Sequence, residues 1–285
     1  MGKIAKDKRD IYYRLAKQEG FRSRSSFKLI QIEDVFKIIS KSNHIVDLCA
    51  APGGWTQIAK KFQKNITGTI ISVDLQQMSA LDNVVIITGD ITHQETINQI
   101  FKKTGTQPID LVLCDGAPDV IKFVEFDVYI QSQLILSALN IALRILNPGG
   151  SFVCKIFRGR STVKIVKIMK SFFNKVSIAK PKACRNASFE AFLVCEGFEL
   201  KEKHKFLKEK EMHNQRDVLY LNSISGEIEM KNEEINFVQV GGDEFDSDKT
   251  YELEATNYDK ILDPVSKPIN PPYKFYIDNF KGISK

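Results

Sequence analysis

The sequence has few of the residues that build disulfide scaffolds or metal sites. Its five cysteines are odd in number and form no Cys-x-x-Cys pair, and its four histidines are scattered. Disulfide frameworks and zinc sites usually show paired or closely spaced Cys and His residues. Most of the cysteines lie inside apolar runs, which is typical of small core residues in a reducing compartment. We therefore expect no bound metal and a cytoplasmic location.

Signals for membrane insertion and for two common nucleotide sites are also missing. The first ten residues are charged and lack the apolar segment of a secretory signal, and no apolar run approaches the length of a membrane span. The G-x-G-x-x-G pattern of dinucleotide sites and the G-K-[ST] pattern of P-loops are absent. These absences disfavour a membrane protein and a nucleotide-dependent dehydrogenase.

Charge is distributed unevenly along the chain. Residues 1–41 hold 11 Lys and Arg against 5 Asp and Glu, whereas residues 201–285 hold 13 against 17. A basic N-terminal face attracts polyanions such as RNA, although a solvated lysine-rich arm is the simpler explanation of the charge alone. We predict a basic arm over residues 1–20, a main domain over residues 21–200, and a C-terminal extension over residues 201–285 that is partly acidic and proline-rich.

The chain is organised around residues 45–55, which read Ile-Val-Asp-Leu-Cys-Ala-Ala-Pro-Gly-Gly-Trp. The first five residues suit a buried strand of a parallel sheet, because nearly all are apolar or small. Pro52, Gly53 and Gly54 end this strand, and apolar residues at helical spacing follow Trp55. A strand, a glycine turn and a helix form the geometry in which the backbone approaches a nucleotide-like ligand.

Acidic residues follow three further runs that predict strands. Asp74, Asp90 and Asp115 stand at the ends of successive apolar, β-favouring segments. In open α/β sheets, ligands bind outside the carboxyl ends of the strands, where an acid can accept hydrogen bonds from ribose hydroxyls. One such acid is more often a turn or cap residue, but three beside a glycine turn indicate a site. The alternation of strands and helices predicts a doubly wound, mostly parallel α/β sheet.

Charged side chains also interrupt apolar segments. Lys155 and Glu190 each stand within a strand-like apolar run, and Lys28 lies near the apolar face of a helical region predicted over residues 10–39. Burial of a charge is unfavourable unless the charge is paired or functional. An edge-strand lysine or a snorkelling lysine would explain Lys155 or Lys28 separately. Together with Asp115, these residues indicate two bases and two acids around one crevice.

These motifs resemble the FtsJ family of RNA ribose 2′-O-methyltransferases. The resemblance covers roughly residues 20–197 and rests on Ser-Phe-Lys28, the stretch Asp47 to Trp55, Asp-Gly-Ala-Pro118, Lys155-Ile-Phe and Glu190. It implies a seven-stranded, Rossmann-like fold with S-adenosylmethionine as the methyl donor. It also implies a catalytic tetrad formed by Lys28, Asp115, Lys155 and Glu190.

The same resemblance implies which residues hold the cofactor. Gly53 and Trp55 would lie near its methionine and sulfonium end, Asp74 at its ribose and Asp90 near its adenine. Asp115 would belong to the cofactor site as well as to the tetrad.

The implied reaction requires alignment and the removal of a proton. The methyl group of a sulfonium is already electrophilic, so the protein must hold a ribose hydroxyl in line with it, which can contribute roughly 7–11 kcal/mol. We expect Lys155 to accept or orient the hydroxyl proton with the help of Lys28. Glu190 would fix the ribose, and Asp115 would orient Lys155.

A closer resemblance is to the eukaryotic tRNA branch of this family. The similar segments are Lys6–Arg14, Lys155–Arg160, Ala179–Glu190 and the tail Pro-Ile-Asn-Pro-Pro-Tyr-Lys. This resemblance implies methylation of nucleotides 32 and 34 in the tRNA anticodon loop and separate partner proteins that direct the enzyme to each site. Candidate RNA contacts in these segments and near Lys28 are Arg22, Arg24, Arg158, Arg160 and Arg185.

One loop departs from the branch, since residues 121–125 replace its usual Thr-Gly segment beside the substrate.

Other functions remain open. The substrate could be ribosomal RNA or capped messenger RNA, or the chain could be a non-catalytic RNA adaptor that binds S-adenosylmethionine. The N-terminal signature and the proline-rich tail favour tRNA, and the presence of all four tetrad residues favours an enzyme. An acidic, proline-rich extension is poorly suited to RNA phosphates, so we expect it to contact an auxiliary subunit.

Overall fold

The computed structural model describes residues 10–65, 67–117, 124–209, 214–224 and 235–249. Three features predicted from the sequence lie outside these residues. They are residues 1–9 of the basic arm, residues 121–123 of the segment that departs from the tRNA branch, and the proline-rich tail.

Eight strands form one sheet in the order β3-β2-β1-β4-β5-β7-β6-β8. The strands are Ile45–Leu48 (β1), Ile70–Asp74 (β2), Val84–Thr88 (β3), Ile109–Cys114 (β4), Leu146–Phe157 (β5), Phe173–Pro181 (β6), Glu190–Phe198 (β7) and Asn236–Val240 (β8). Every pairing is parallel except those of β7, which runs antiparallel to β5 and β6. The predicted doubly wound, mostly parallel α/β fold is confirmed.

The eighth strand comes from the C-terminal extension and adds to the seven expected. β8 pairs in parallel with β6, from Ser177 opposite Asn236 to Pro181 opposite Val240. Without β8, this edge of β6 would present unpaired backbone N–H and C=O groups. The segment after β8 is also anchored, because Ser247 Oγ donates a 2.7 Å hydrogen bond to the carbonyl of residue 184. Part of the extension is therefore built into the main domain.

Helices connect the strands and cover both faces of the sheet. They are Ile11–Gln18 (α1), Ser26–Phe36 (α2), Gly54–Phe62 (α3), Gln94–Thr104 (α4), Val124–Ile145 (α5), Thr162–Lys170 (α6), Phe206–Glu209 (α7) and Asn214–Ile224 (α8), with a 3-10 turn at Glu202–His204. α1 and α2 occupy the region predicted as helical, and Gly20 separates them. Gly20 adopts φ 71° and allows Phe21 N–H to donate to Ala16 O at 2.7 Å, which is a glycine-terminated helix end.

Two buried clusters pack against opposite faces of the sheet. One joins α2 and α3 to the strands through residues such as Leu29, Ile32, Ile58 and Phe192. The other joins α4, α5 and α6 to the opposite face. Successive side chains of a strand point to opposite faces, so β1 to β7 each contribute to both clusters, whereas β8 contributes only to the first.

Helix α5 contains a segment, Asp127–Ile145, that is long and apolar enough to cross a membrane, although the sequence has no uninterrupted apolar run of that length. Of this segment, 67% is buried inside the protein. Leu139 and Ile141, for example, are fully buried in the core. A central helix that is apolar on all sides has the same composition. Its burial identifies α5 as a core helix.

Candidate active site

The antiparallel pairing of β5 and β7 brings Lys155 and Glu190 to one face of the sheet. Lys155 lies opposite Phe192, and Phe157 lies opposite Glu190. Directly opposed residues share a face, as do residues two apart on one strand. Lys155, Glu190 and Phe192 therefore project to the face that α2 and α3 cover. Trp55 of α3 packs there against Phe192, with 5.4 Å between the ring centroids.

Helix α2 places Lys28 above this face. Lys28 Nζ lies 2.5 Å from Glu190 Oε1 and 5.8 Å from the centroid of the Phe192 ring. Both side chains of the ion pair are largely buried, with 11% and 14% of their surface exposed. Burial by itself lowers the pKa of Lys28, but the carboxylates of Glu190 and Asp115 outweigh it and raise that pKa above its ordinary value. Lys28 is therefore a cation at neutral pH.

Asp115 directly follows β4 and meets Lys155 on the neighbouring strand. Cys114 lies opposite Cys154 in the parallel pairing, so the next residues of both strands reach the same edge of the sheet. Lys155 Nζ lies 3.1 Å from Asp115 Oδ1 and donates to Asp115 O at 2.6 Å. The structure thus brings the four predicted tetrad residues together as two pairs, Lys28 with Glu190 and Lys155 with Asp115.

A serine that the sequence analysis missed links Asp115 to the helix after the glycine turn. Ser25 Oγ donates a hydrogen bond to Asp115 Oδ2. Trp55 Nε1 donates to both Ser25 Oγ and Ser25 O, each at 3.1 Å. The only sequence signal for Ser25 is its place three residues before Lys28, in a segment rich in Arg and Ser.

The glycine turn is held in place by Arg22. Gly53 precedes α3 with φ 103°, and a Cβ atom there would lie 2.8 Å from Arg22 Nη1. Arg22 donates to Pro52 O at 3.2 Å and to the carbonyls of Ser79 and Ala80, both at 2.9 Å. Arg22 therefore ties the turn to the loop that follows β2. It was predicted as an RNA contact, and the structure places it beside the predicted cofactor residues.

Asp74 and Asp90 lie at the carboxyl ends of β2 and β3. Asp74 Oδ2 accepts from Ala51 N at 2.8 Å, and its Oδ1 accepts from Gln76 N at 2.7 Å. Burial raises the pKa of Asp74, and these hydrogen bonds act against the rise. Asp90 Oδ1 accepts from Thr92 N and Thr92 Oγ1, both at 2.8 Å. A carboxylate has about four acceptor positions, so both acids can still accept bonds from a ligand.

Asp47 is a buried carboxyl beneath the turn. Thr56 Oγ1 donates to Asp47 Oδ2 at 2.6 Å and lies 2.9 Å from Ser72 Oγ. Among the described residues, Asp47 Oδ1 has no hydrogen-bond donor. Burial raises the pKa of Asp47 to about 7; the Thr56 hydrogen bond lowers it, and the charges of Asp115 and Asp74 add to the rise. Asp47 therefore titrates near neutral pH inside the core.

Lys180, which was not predicted as a site residue, supports the loop before β7. Lys180 Nζ donates to Ser188 O at 2.8 Å and to Glu190 O at 2.6 Å. Burial lowers the pKa of Lys180. Its cation holds the backbone at the residue whose carboxylate pairs with Lys28.

The other four arginines predicted to contact RNA lie in two places. Arg24 forms an ion pair with Asp10, and Arg185 Nη2 lies 3.6 Å from the same carboxylate. Arg158 and Arg160 follow the carboxyl end of β5, where Arg160 is exposed. RNA contact by these arginines stays a prediction.

Comparison with known proteins gives a consistent result. The model of the family described as FtsJ-like methyltransferase matches residues 21–198. The human tRNA (cytidine(32)/guanosine(34)-2′-O)-methyltransferase is 42% identical over 278 residues, which cover 96% of this chain and 84% of the human protein. The protein of the same name from Schizosaccharomyces pombe is 40% identical over 290 residues, which cover 98% and 97% of the two chains. A crystal structure described as a ribosomal RNA methyltransferase from Plasmodium falciparum has a TM-score of 0.58 and 27% identity, and it covers 62% of this chain and 98% of that one.

Proposed function

The chain belongs to the family of FtsJ-like methyltransferases, and from this premise we propose that it transfers a methyl group from S-adenosylmethionine to the ribose 2′-hydroxyls of nucleotides 32 and 34 in tRNA. Relatives named for this activity align with nearly the whole chain. The observation that carries the proposal is the meeting of the two lysine–carboxylate pairs beside Trp55.

The residues at the carboxyl edge of the sheet fit S-adenosylmethionine. This cofactor has hydroxyl and amine donors and a cationic sulfonium, and the edge offers acidic acceptors. Asp74 would hold its ribose, Asp90 would lie near its adenine, and Asp115 would face the sulfonium. Gly53 and Trp55 complete the site. When bound, the cofactor supplies an electrophilic methyl group.

Lys155 is the residue placed to manage the hydroxyl proton. Two oxygens of Asp115 hold its Nζ, at 3.1 and 2.6 Å, so its position is set by the protein. An ammonium group has no acceptor, so Lys155 can take a proton only as a neutral amine and can otherwise orient the hydroxyl as a cation. Lys28 adds a second positive charge nearby, and the Glu190 carboxylate that it holds can accept a bond from a ribose hydroxyl.

The proposal is tested by mapping ribose methylation on tRNA by mass spectrometry. tRNA is incubated with S-adenosylmethionine and the protein, alone and with cell extract, and the Lys155→Ala variant serves as the inactive control. We expect new 2′-O-methyl groups at nucleotides 32 and 34. Methylation of other RNA with none on tRNA in either condition would show that the proposed substrate is wrong.

Ribosomal RNA is the second candidate substrate, because the structural neighbour carries that description. That likeness covers 62% of this chain, whereas the tRNA relatives align over 96% and 98%, which includes most of the extension. The wider coverage favours tRNA. The same assay with ribosomal and capped RNA separates these substrates, and binding of S-adenosylhomocysteine without methylation of any RNA would favour a non-catalytic adaptor.

We propose further that an auxiliary subunit binds the extension beyond β8 and directs the enzyme to its sites. Beyond β8, residues 241–285 hold 9 Asp and Glu against 6 Lys and Arg, and this acidic excess supports a protein partner over RNA phosphates. Deletion of everything after residue 200 would also remove β8 and uncover the edge of β6. Deletion of residues 250–285 keeps β8. Loss of partner capture with unchanged binding of S-adenosylhomocysteine supports the proposal, and unchanged capture contradicts it.

A cytoplasmic location is also proposed. The five cysteines are free thiols and four of them are buried, which suits a reducing compartment. Imaging of a tagged chain tests this, and accumulation in the secretory pathway would contradict it.

A further inference from the structure

Ser25 occupies the cap position of helix α2, but its hydroxyl does not cap the helix. A serine at this position usually accepts a hydrogen bond from an N–H two or three residues later. Within the described residues the Ser25 side chain makes no such bond, and it reaches Asp115 instead. Only its backbone serves the helix, because Lys28 N–H donates to Ser25 O at 3.0 Å. The Ser25 hydroxyl therefore serves the active site.

The chemistry of the three groups fixes the direction of their hydrogen bonds. An indole N–H only donates, a carboxylate only accepts, and a hydroxyl has one proton. Ser25 Oγ therefore accepts from Trp55 Nε1 at 3.1 Å and gives its proton to Asp115 Oδ2. The other oxygen, Asp115 Oδ1, lies 3.1 Å from Lys155 Nζ. The contacts therefore form a chain from Trp55 through Ser25 and Asp115 to Lys155, and the donor and acceptor of both hydrogen bonds in it are fixed.

We infer that Ser25 is a positioning residue, which holds the Asp115 carboxylate in the orientation that faces Lys155. This inference rests on the proposed methyltransferase function. Without the hydroxyl, the Asp115 side chain keeps its contact with Lys155 but loses the bond that sets its rotation. Lys155 then loses a fixed partner, and the placement of reacting groups is among the largest contributions to enzymatic rates. Ser25 acts on the reaction through Asp115.

Trp55 offers an optical readout of this arrangement that does not depend on activity. It is the single tryptophan of the chain and is 2% exposed. Its indole N–H is shared between Ser25 Oγ and Ser25 O. Replacement of Ser25 by Ala removes one of these acceptors, so the fluorescence emission of Trp55 changes if the contact exists in solution.

Three variants test the inference: Ser25→Ala, Ser25→Thr and Ser42→Ala. Ser42 is a matched control, because it is buried, its Oγ donates to Ile38 O at 2.7 Å, and it lies beyond the opposite end of α2. Single-turnover methylation of tRNA, calorimetric binding of S-adenosylhomocysteine and Trp55 emission are measured for each. Because Ser25→Ala removes a hydrogen bond to a charged group, we expect it to lower the single-turnover rate about tenfold. We expect it to change the affinity for S-adenosylhomocysteine by less than about threefold.

The expected pattern has two further parts. Thr keeps the hydroxyl, so Ser25→Thr restores both the rate and the emission, and Ser42→Ala changes neither. A wild-type rate in Ser25→Ala would overturn the inference, as would unchanged Trp55 emission. Equal losses of rate and cofactor affinity, or losses that Thr does not restore, would show general disruption and also contradict it. If the wild-type protein methylates no tRNA either alone or with cell extract, the proposed function fails, while the emission measurement still tests the contact.

Discussion

Lys28 and Glu190, which are 162 residues apart in the chain, form an ion pair with 2.5 Å between Nζ and Oε1. The pair lies against Phe192, and the charge of Asp115 also acts on Lys28. Both charges are largely removed from water, so neither can be deleted alone without leaving its partner buried and unpaired. The pair therefore couples α2 to β7 at the site.

We expect Lys28→Met to destabilise the fold by roughly 3 kcal/mol, because it leaves the Glu190 carboxylate buried without its cation. The double variant Lys28→Met with Glu190→Gln recovers much of this loss. Urea denaturation measures the free energy of unfolding of each protein. Lys37→Met is the control, since its contact with Asp34 is exposed and 3.9 Å long, and an effect below about 1 kcal/mol is expected. Strictly additive effects of the two substitutions would argue against the coupling.

Lys155→Ala should slow single-turnover methyl transfer by about 10²- to 10⁴-fold, the usual contribution of a positioned acid–base group. Binding of S-adenosylhomocysteine should stay nearly unchanged. Lys155→Arg keeps the positive charge beside Asp115 but cannot accept the proton, so it separates proton transfer from orientation. Lys175→Ala removes an exposed lysine on β6 and is the control. Wild-type-like chemistry in Lys155→Ala would remove this lysine from the mechanism.

Asp74→Ala should weaken binding of S-adenosylhomocysteine at least about tenfold, because it removes a charged acceptor at the predicted ribose position. It also releases Ala51 N–H and Gln76 N–H, which the carboxylate holds at 2.8 and 2.7 Å. Isothermal calorimetry measures the affinity, with Asp34→Ala as an exposed control. Unchanged affinity would contradict the ribose role of Asp74.

Asp47 should make the stability of the protein depend on pH between about 4 and 7. Its pKa is raised by burial to about 7 from an unfolded value of 3.8. A raised pKa means that the folded state binds the proton more tightly, so the stabilising contribution is full below pH 3.8 and is lost as the pH rises through about 7. Asp47→Asn cannot titrate and should lose less stability over this range. Parallel pH dependences in the two proteins, measured by urea denaturation, would contradict the raised pKa.

Much of the architecture could be predicted because strand and helix patterns are local. The apolar run Ile45–Leu48 and the turn at Gly53 identify β1 and the start of α3, and the structure has both there. Asp74 and Asp115 could be assigned to one edge, since parallel strands bring their carboxyl ends together. The place of Asn236–Val240 in the main sheet could not be predicted, because its pairing with β6 depends on a distant edge.

The sequence by itself determined the alternation of strands and helices, the acids at the strand ends, and the two charged residues, Lys155 and Glu190, that interrupt apolar runs. These features follow from periodicity and from the unfavourable burial of unpaired charge, both of which act within a few residues. Only the tertiary structure decided that Lys28 meets Glu190 and that Ser25 turns from capping its helix to bonding Asp115. Those contacts depend on the register of β5 and β7 and on the docking of α2, which join residues too far apart in the chain for any local pattern to specify.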